Sequence, residues 1–338
     1  MSTKERIVSP ELLPIDDEVD LRPYQVNDFT GQSHIKEIME ISLLSAKKRS
    51  QPMDHVLLYG PPGLGKTTLA YIIASEMGSK YHRTTGPALE RGGDLAAILS
   101  DINRGDVLFI DEIHRLNYLV EEMLYSVMED FKLDIILGRG SAARTLVLNF
   151  PPFTIVGATT KAGMLSSPLR DRFGFSFRFR YYEESEIVSI LKRAAGLMKV
   201  EIEDDALSET ARRSRGTPRV ALRLAKRIRD YALAKNQTEI SLKLARDSFN
   251  LLNIDELGLD DVDRMFLKLI FTNFNGGPVG LESIAYAMGE DKKTIEDIIE
   301  PFLLQKGLLV RTGRGRVLTP LCLKHLNLET ETKSLFNG

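Results

Sequence analysis

The sequence predicts an α/β domain built on a parallel sheet, then an all-helical domain, then a small domain of helices and one hairpin. From about residue 55 to residue 182, short apolar runs alternate with helical patterns, as in the strand and helix units of a parallel sheet. From 183 to about 253 only helical spacing is present, and later helices precede two β-rich runs. A chain of 338 residues is long enough for this division. The expected segments are 1–20, 21–182, 183–255 and 256–338.

The composition is that of a folded globular protein. Hydrophobic residues make up 43% and charged residues 27%, which excludes collagen-like and wholly disordered chains. The single cysteine, Cys322, cannot form an internal disulfide, and its apolar neighbours predict a buried side chain. No apolar run approaches the roughly 18 residues of a membrane span, and the N-terminus lacks the apolar core of a signal peptide. We therefore expect a cytoplasmic protein without a membrane segment.

The first two segments follow from local patterns. Residues 1–20 are acidic, contain two prolines and show no period, so they predict a flexible arm. In 21–182 the expected strands are His55–Tyr59, Val107–Ile110 and Phe153–Gly157, each a short apolar run.

An acidic stretch, 254–263, predicts a hinge at the start of the C-terminal segment. Helical patterns cover Val262–Phe271, Leu281–Ala287 and Thr294–Gln305. Two β-rich runs then flank the glycine-containing turn 312–315. Three helices followed by a hairpin predict a winged helix-turn-helix.

A phosphate-binding loop is the strongest motif. Gly60 to Thr67 matches G-x-x-x-x-G-K-[ST], directly after an apolar strand and directly before a helical pattern. Glycines let backbone N–H groups surround phosphates, and the helix points the positive end of its dipole at the same oxygens. Lys66 supplies a charge for the β and γ phosphates, and the Thr67 hydroxyl is a ligand for Mg²⁺. The motif predicts binding of ATP with Mg²⁺.

Two carboxylates follow the next apolar strand, at Asp111 and Glu112. Asp111 is expected to orient the magnesium, and Glu112 to polarise a water for attack on the γ phosphate. Because a carboxylate base serves hydrolysis, the pair predicts an ATPase. Thr160 ends a third strand and could position the water, or it could belong to a simple strand-end turn. Arg170 or Arg172 could be an arginine finger acting on a neighbouring subunit, or both could be surface residues paired with Asp171.

The net charge of −2 gives no sign of nucleic acid binding by the chain as a whole, but basic residues are concentrated locally. Between residues 306 and 316 there are four basic residues and no acid: Lys306, Arg311, Arg314 and Arg316. On a hairpin beside helices this set predicts contacts to DNA phosphates, and the alternative is a solvated basic hairpin. Eight basic residues between 211 and 229 predict mainly a solvated helix face.

These motifs together resemble the AAA+ ATPases and, among them, the RuvB family of Holliday junction branch-migration motors. The resemblance rests on Gly60 to Thr67, Asp111 with Glu112, Thr160, Arg172 and Arg219 in the family order of phosphate loop, Walker B, sensor 1, arginine finger and sensor 2. It is carried further by Phe29 to Gln32, Gly276 to Leu281 and Arg311 to Arg316, and it runs from about residue 20 to residue 320. It implies an AAA+ P-loop domain, a helical lid domain and a winged-helix domain.

The resemblance also implies site residues. Nucleotide-binding positions are Leu21, Arg22, Gly63, Lys66, Thr67, Thr68, Glu129, Asp130, Phe131, Arg172, Tyr182 and Arg219. In the family the DNA-binding positions are those of Arg311 and Arg316.

The family resemblance further implies partners. The hairpin expected at about 131–149, with glycines at its turn and surplus apolar residues, resembles the one that docks the partner RuvA. The alternative is a hairpin folded onto its own core. The family forms a hexameric ring, moves duplex DNA in homologous recombination and repair, and works with RuvA and the resolvase RuvC.

Two other functions are consistent with parts of the sequence. One is a clamp-loader or initiator ATPase, in which the nucleotide acts as a switch. The other is a regulator whose winged helix reads a DNA sequence. Against the second, 292–297 carries acids and lacks the Arg, Asn and Gln residues that read base edges.

Overall fold

The computed structural model describes residues 6–8, 21–137 and 144–328. It divides into two compact units, one within 19–190 and the other formed by the residues before 19 together with those from 191 onward. The turn of the hairpin expected at 131–149 and most of the expected N-terminal arm lie outside the described residues. Among the described residues, no helix combines the length and the apolar character that crossing a membrane requires.

Within its described residues, the first unit contains seven strands and five α-helices, and it ends within a sixth α-helix. They are α1 (Ser33–Arg49), β1 (Val56–Tyr59), α2 (Lys66–Met77), β2 (Tyr81–Thr85), α3 (Gly92–Ser100), β3 (Val107–Asp111), α4 (Tyr118–Asp130), β4 (Lys132–Leu137), β5 (Arg144–Asn149), β6 (Thr154–Thr159), α5 (Ser167–Asp171), β7 (Phe175–Arg178) and α6 (Glu184–Met198). Five of the strands form a sheet in the order β2-β3-β6-β1-β7, with every pair parallel.

The central strands of this sheet are those that the apolar runs predict. β6 is buried along its whole length, and in β1 and β3 every residue except the last is buried. Since side chains on both faces are covered by helices, these strands read as continuous apolar runs. Tyr59 pairs with Thr159, and Ile110 with Gly157, so the three strands end at the same edge. This carboxyl edge positions the site.

β4 and β5 form the expected antiparallel hairpin. Leu133 pairs with Leu148, and both pack into the core of the first unit. Leu146 and Val147 are 44% and 48% exposed. The base of the hairpin is therefore anchored, while part of its apolar surface remains in solvent.

The second unit carries two separate cores. The helical part contains the end of α6, β8 (Glu201–Ile202), α7 (Asp204–Arg213), α8 (Pro218–Ala234), β9 (Glu239–Ile240) and α9 (Leu242–Leu251). The C-terminal part contains α10 (Asp261–Phe274), α11 (Leu281–Met288), α12 (Lys292–Thr294), a π-helical turn (Ile295–Ile299), α13 (Glu300–Gln305), β10 (Leu309–Thr312), β11 (Gly315–Leu318) and α14 (Pro320–His325). Helices followed by an antiparallel hairpin are the predicted winged helix, and Cys322 is buried as expected.

The third helix of the winged-helix domain is continuous from Lys292 to Gln305 but contains the π-helical turn. Pro301 follows this turn and explains it. Proline lacks an N–H group, and its ring clashes with the carbonyl four residues earlier, so the helix widens there.

Residues 6–8 do not form the flexible arm that the sequence predicts. Val8 is buried in the core of the helical part, and Arg223 donates to the carbonyl of Ile7 at 2.9 Å. Arg6 donates to Asp260 at 2.7 Å and to Asp263 at 2.8 Å. This short segment therefore contacts both parts of the second unit.

The expectation of a mainly solvated basic face between 211 and 229 is wrong. Four of its eight basic residues are buried, and they are Arg213, Arg215, Arg223 and Lys226. Arg213 bonds to Glu209 at 2.6 Å, and Arg215 is paired with the fully buried Asp263. The acids that compensate these arginines lie outside the window, so a local charge pattern could not reveal them.

Candidate functional site

The loop from Gly60 to Thr67 forms a backbone cradle between β1 and α2. Gly60, Gly63 and Gly65 all have positive φ angles, which favour glycine. At Gly60 an added Cβ would lie 2.7 Å from the carbonyl oxygen of Phe179, so no larger residue fits. The Lys66 Nζ donates to the carbonyl oxygens of Gly60 at 2.8 Å and Pro61 at 2.7 Å, which holds it over the loop.

Two neighbouring strands place polar groups beside this loop. The Gly60 N–H donates to the carbonyl of Thr159 at 3.1 Å, so the loop begins against the end of β6. Asp111 ends β3 on the far side of β6, about 10 Å from β1 at the usual strand spacing. Its Oδ1 accepts from the Glu112 N–H at 3.0 Å. The predicted phosphate loop and carboxylates are therefore at one edge.

Glu112 has a left-handed backbone conformation, with φ +49°. The backbone passes so close to Gly86 that a Cβ there would lie 2.5 Å from the Glu112 carbonyl oxygen. The Glu112 carboxylate is 2.8 Å from Arg115, and both side chains are about half exposed. The sequence motif that identifies Asp111 and Glu112 does not indicate this contact with Arg115.

Two threonines end β6 and begin the following turn, and they differ in surroundings. Thr159 is buried; its Oγ1 lies 2.9 Å from His114 Nδ1 and accepts from the Lys161 N–H at 2.9 Å. Thr160 is exposed at the same edge. The sequence prediction of Thr160 is consistent with this exposure, whereas the contact between His114 and Thr159 was not anticipated.

An aromatic wall lies against the other side of the loop. The Tyr182 hydroxyl donates to the Leu64 carbonyl at 3.0 Å, and burial raises the pKa of this hydroxyl, so it remains a neutral donor. The Phe29 ring lies 3.3 Å from the Cβ position of Gly65. Leu21 is buried and Arg22 exposed. Tyr182 thus touches the predicted loop directly.

Arg172 lies at the opposite edge of the sheet. It precedes β7, whose first residue, Phe175, pairs with Val56 at the start of β1. A cleft at this amino edge is lined by Asp54, Phe131 and Arg172 among others.

The Arg172 guanidinium is held by three neighbours. Its Nη2 is 3.0 Å from Glu129, its Nη1 donates to the Pro168 carbonyl at 2.7 Å, and it stacks over Tyr125 at 4.4 Å. Arg172 is therefore in contact with Glu129. These two residues and Phe131 lie at the amino edge of the sheet, opposite the edge that carries the phosphate loop of the same chain. Asp130 is the last residue of α4, between these two.

Arg219 is the second residue of α8 in the second unit. The first residue, Pro218, suits a helix start because its missing N–H group would have no helical partner there.

The basic hairpin β10–β11 carries less free charge than its sequence suggests. Arg311 and Arg316 lie directly opposite each other, and both donate to the buried carboxylate of Glu300. Arg316 also pairs with Glu296 at 3.2 Å. Arg314 is exposed in the turn. The two glutamates precede the 306–316 window, so the count of basic residues missed them.

The residues at the carboxyl edge fit a nucleotide with its metal ion. A glycine cradle too tight for a Cβ, a lysine above it and the dipole of α2 suit phosphate oxygens. The Thr67 hydroxyl and the Asp111 carboxylate provide oxygen ligands of the kind that Mg²⁺ prefers.

Three family models match the chain in succession. Residues 21–179 match the Holliday junction DNA helicase RuvB P-loop domain, 182–255 the RuvB AAA lid domain, and 256–327 the RuvB C-terminal winged helix domain. The chain belongs to the RuvB family. Its first domain is a P-loop AAA+ ATPase domain that binds nucleotide, and the chain is an ATP hydrolase of this branch-migration motor family.

Solved structures agree with this membership. The Thermotoga maritima RuvB Holliday junction branch migration motor is 49% identical, with a TM-score of 0.83 over 92% of this chain and 99% of that chain. A single-residue mutant of Thermotoga maritima RuvB is 50% identical, with a TM-score of 0.84 over 91% of this chain and 99% of that chain. The expected fold class is confirmed, and membership in the motor family decides against the clamp-loader and regulator alternatives.

Proposed function

We propose that this chain is a motor that uses ATP and Mg²⁺ to move duplex DNA and drive branch migration of Holliday junctions. The proposal depends on two features that occur in the same chain. Glu112 lies at the same edge of the sheet as a phosphate loop that carries a lysine, and the winged-helix domain has a basic hairpin. The first feature supports hydrolysis, and the second supports binding to the DNA backbone.

At the nucleotide, each residue has a separate task. Backbone N–H groups around Gly63, with Thr68 on the first turn of α2, hold the phosphates, and Lys66 leaves its loop carbonyls to neutralise the γ phosphate. Tyr182, Leu21 and Arg22 surround the base and ribose. A magnesium ion held by Thr67 and Asp111 would neutralise charge that develops on the phosphates. Glu112 accepts a proton from the attacking water, and Thr160 orients that water.

The arginine finger acts between subunits of a ring. Because Arg172 lies at the amino edge, it reaches the nucleotide of a neighbouring subunit rather than its own. Glu129, Asp130 and Phe131 lie on the same side, so we assign their contacts to the neighbour's nucleotide as well. A ring, in this family a hexamer, gives every subunit one such boundary.

The lid and winged-helix domains connect hydrolysis to DNA. Arg219 takes the role of sensor 2 toward the γ phosphate, which its position in the family order implies. Arg311, Arg314 and Arg316 contact phosphates, which carry no sequence information and so suit a motor that moves along any duplex.

The hairpin β4–β5 is the site for RuvA. Its exposed Leu146 and Val147 lie next to each other on β5, while Leu148 anchors the strand. An anchored hairpin with exposed apolar residues is a typical protein-binding feature. RuvC joins the assembly at the junction, and the cellular setting is DNA recombination and repair in the cytoplasm.

Dissociation of a synthetic four-way junction tests the whole proposal. With ATP and RuvA, the chain is expected to separate the junction into two duplexes, and omission of either is expected to stop it. A Leu146→Ala, Val147→Ala variant is expected to lose the response to RuvA, whereas Leu119→Ala, another exposed apolar residue, is the matched control. No dissociation under any condition, with ATPase activity intact, would contradict the DNA motor.

A further inference from the structure

Glu300 is a buried carboxylate that holds two arginines of the hairpin β10–β11. Its side chain is 0% exposed. The Oε1 atom accepts from Arg316 Nε at 2.7 Å, and Oε2 accepts from Arg311 Nε at 2.8 Å. Arg311 Nη2 also donates to Oε2, and Arg316 Nη2 does so at 3.3 Å. Both carboxylate oxygens are therefore satisfied by guanidinium groups.

The carboxylate compensates for an unfavourable pairing of like charges. Arg311 and Arg316 are direct partners in the antiparallel register. Like charges in directly opposite positions destabilise a strand pair. With Glu300 beneath them, the two guanidinium groups share one negative charge and lie side by side on the same face of the hairpin.

The same contacts fasten the hairpin to the third helix of the winged-helix domain. Glu300 follows the π-helical turn, and Glu296, one turn earlier, also reaches Arg316 at 3.2 Å. The backbone of Arg316 is held from its other side by Val279, with hydrogen bonds of 2.8 and 3.0 Å. The hydrogen bond that Arg316 donates to Glu300 raises the pKa of Arg316. Arg316 is 13% exposed and Arg311 is 45% exposed, so the network still presents positive charge to solvent.

We propose that Glu300 is a positioning residue for DNA binding, which acts by holding Arg311 and Arg316 in one orientation toward the phosphates of duplex DNA. The inference rests on the proposed DNA-binding function of the hairpin. Two free arginine side chains would lose rotamer freedom when they meet the DNA, and prior fixation by Glu300 removes part of that cost. Glu300 is therefore expected to strengthen DNA binding. Its charge alone would have the opposite effect, because a carboxylate close to a phosphate repels it.

The test measures binding of a fluorescent duplex by the full chain, using anisotropy at several salt concentrations. From tightest to weakest, the expected order of binding is wild type, Glu300→Asp and Glu300→Gln. The affinity of Glu300→Gln for the duplex is expected to be about tenfold lower than that of wild type. Glu282→Gln is the matched control, because Glu282 is a largely exposed acid of the same domain. It removes the same charge, and no loss is expected. Binding by Glu300→Gln that equals or exceeds wild type would overturn the inference.

Thermal unfolding of each variant separates positioning from misfolding. If Glu300→Gln is unfolded at the assay temperature, Glu300→Asp decides: weaker binding at an unchanged Tm supports the inference, and wild-type binding overturns it.

A double-mutant cycle tests whether Glu300 acts through the arginines. In the background of Arg311→Ala and Arg316→Ala, adding Glu300→Gln is expected to cause no further loss. An additive loss would overturn the inference. If the two alanine substitutions alone leave DNA binding unchanged, the proposed function of the hairpin fails and the inference with it. If they weaken binding while Glu300→Gln does not, only the inference fails.

Discussion

Replacement of Arg172 by alanine is expected to abolish most ATPase activity although the residue is far from its own phosphate loop. Four residues of β1 separate the two edges of the sheet, roughly 13 Å at about 3.3 Å per residue. An arginine finger supplied by a neighbour contributes about 10³ to 10⁵ in rate, equivalent to about 4–7 kcal/mol of barrier. Each local contact of Arg172 is weaker. Its pair with the exposed Glu129 contributes about 0–1 kcal/mol, stacking on Tyr125 about 1 kcal/mol, and the hydrogen bond to the Pro168 carbonyl about 1 kcal/mol.

The size of the loss in ATPase activity therefore shows whether Arg172 acts in catalysis or only stabilises the fold. The assay is phosphate release with duplex DNA present, together with a thermal unfolding curve for each variant. Arg170→Ala is the control, because Arg170 is exposed on the same helical turn and its side chain donates a long hydrogen bond of 3.4 Å to Ser167. We expect a loss of at least about 10³ for Arg172→Ala and a small change for Arg170→Ala.

Mixing subunits tests the action between neighbours. Arg172→Ala subunits supply a phosphate loop without a finger, and Lys66→Ala subunits supply a finger without a functional loop. In a random equimolar ring, about one boundary in four joins a functional loop to a functional finger, so partial activity is expected. A loss below tenfold for Arg172→Ala, an equal loss for Arg170→Ala, or no recovery at any mixing ratio would refute the reasoning.

Three further predictions concern the base, the N-terminal segment and pH. Glu112→Gln is expected to bind ATP and hydrolyse it slowly, while Lys66→Ala is expected not to bind it; rapid turnover by Glu112→Gln would contradict the general base. Arg6→Ala is expected to lower the Tm, since breaking a buried ion pair costs about 3–5 kcal/mol, whereas Lys192→Ala, which breaks an exposed pair, should leave it nearly unchanged. His55 is neutral because burial lowers its pKa, and its Nδ1 accepts from the Ile155 N–H. Stability of the first unit is therefore expected to be full above the unfolded-state pKa of about 6.5 and to fall as the pH drops below it, and a Tm constant from pH 8 to pH 5 would contradict this.

The strands that the sequence reveals are those at the centre of the sheet. β1, β3 and β6 are covered on both faces, so their residues are continuously apolar and easy to recognise. β2 and β7 were not predicted. They are the two edges of the sheet, and their sequences include exposed Arg83 and Arg178, so they lack an uninterrupted apolar run.

The site shows the same division between local and distant information. Lys66, Asp111 and Glu112 could be proposed from the sequence because each belongs to a short motif attached to a strand end. The contact of Tyr182 with Leu64 and that of Glu300 with Arg311 join residues far apart in the chain or on separate elements. No local period encodes them. Only the packing of one element on another brings such groups into contact.

The charge of the winged-helix hairpin illustrates what pairing does to a count of residues. Four basic residues between 306 and 316 indicate a strong local positive charge, but ion pairs with Glu296 and Glu300 compensate part of this charge. Each phosphate contact changes the logarithm of affinity by about 0.9 per tenfold change in salt. A hairpin that makes only two or three contacts therefore binds weakly and releases easily. In the ring that we propose, the contacts of several subunits would combine through effective concentration, so the assembly would stay on the duplex while each subunit can release it. A motor that must move along DNA needs both properties, and the small number of arginines on each hairpin is consistent with this need.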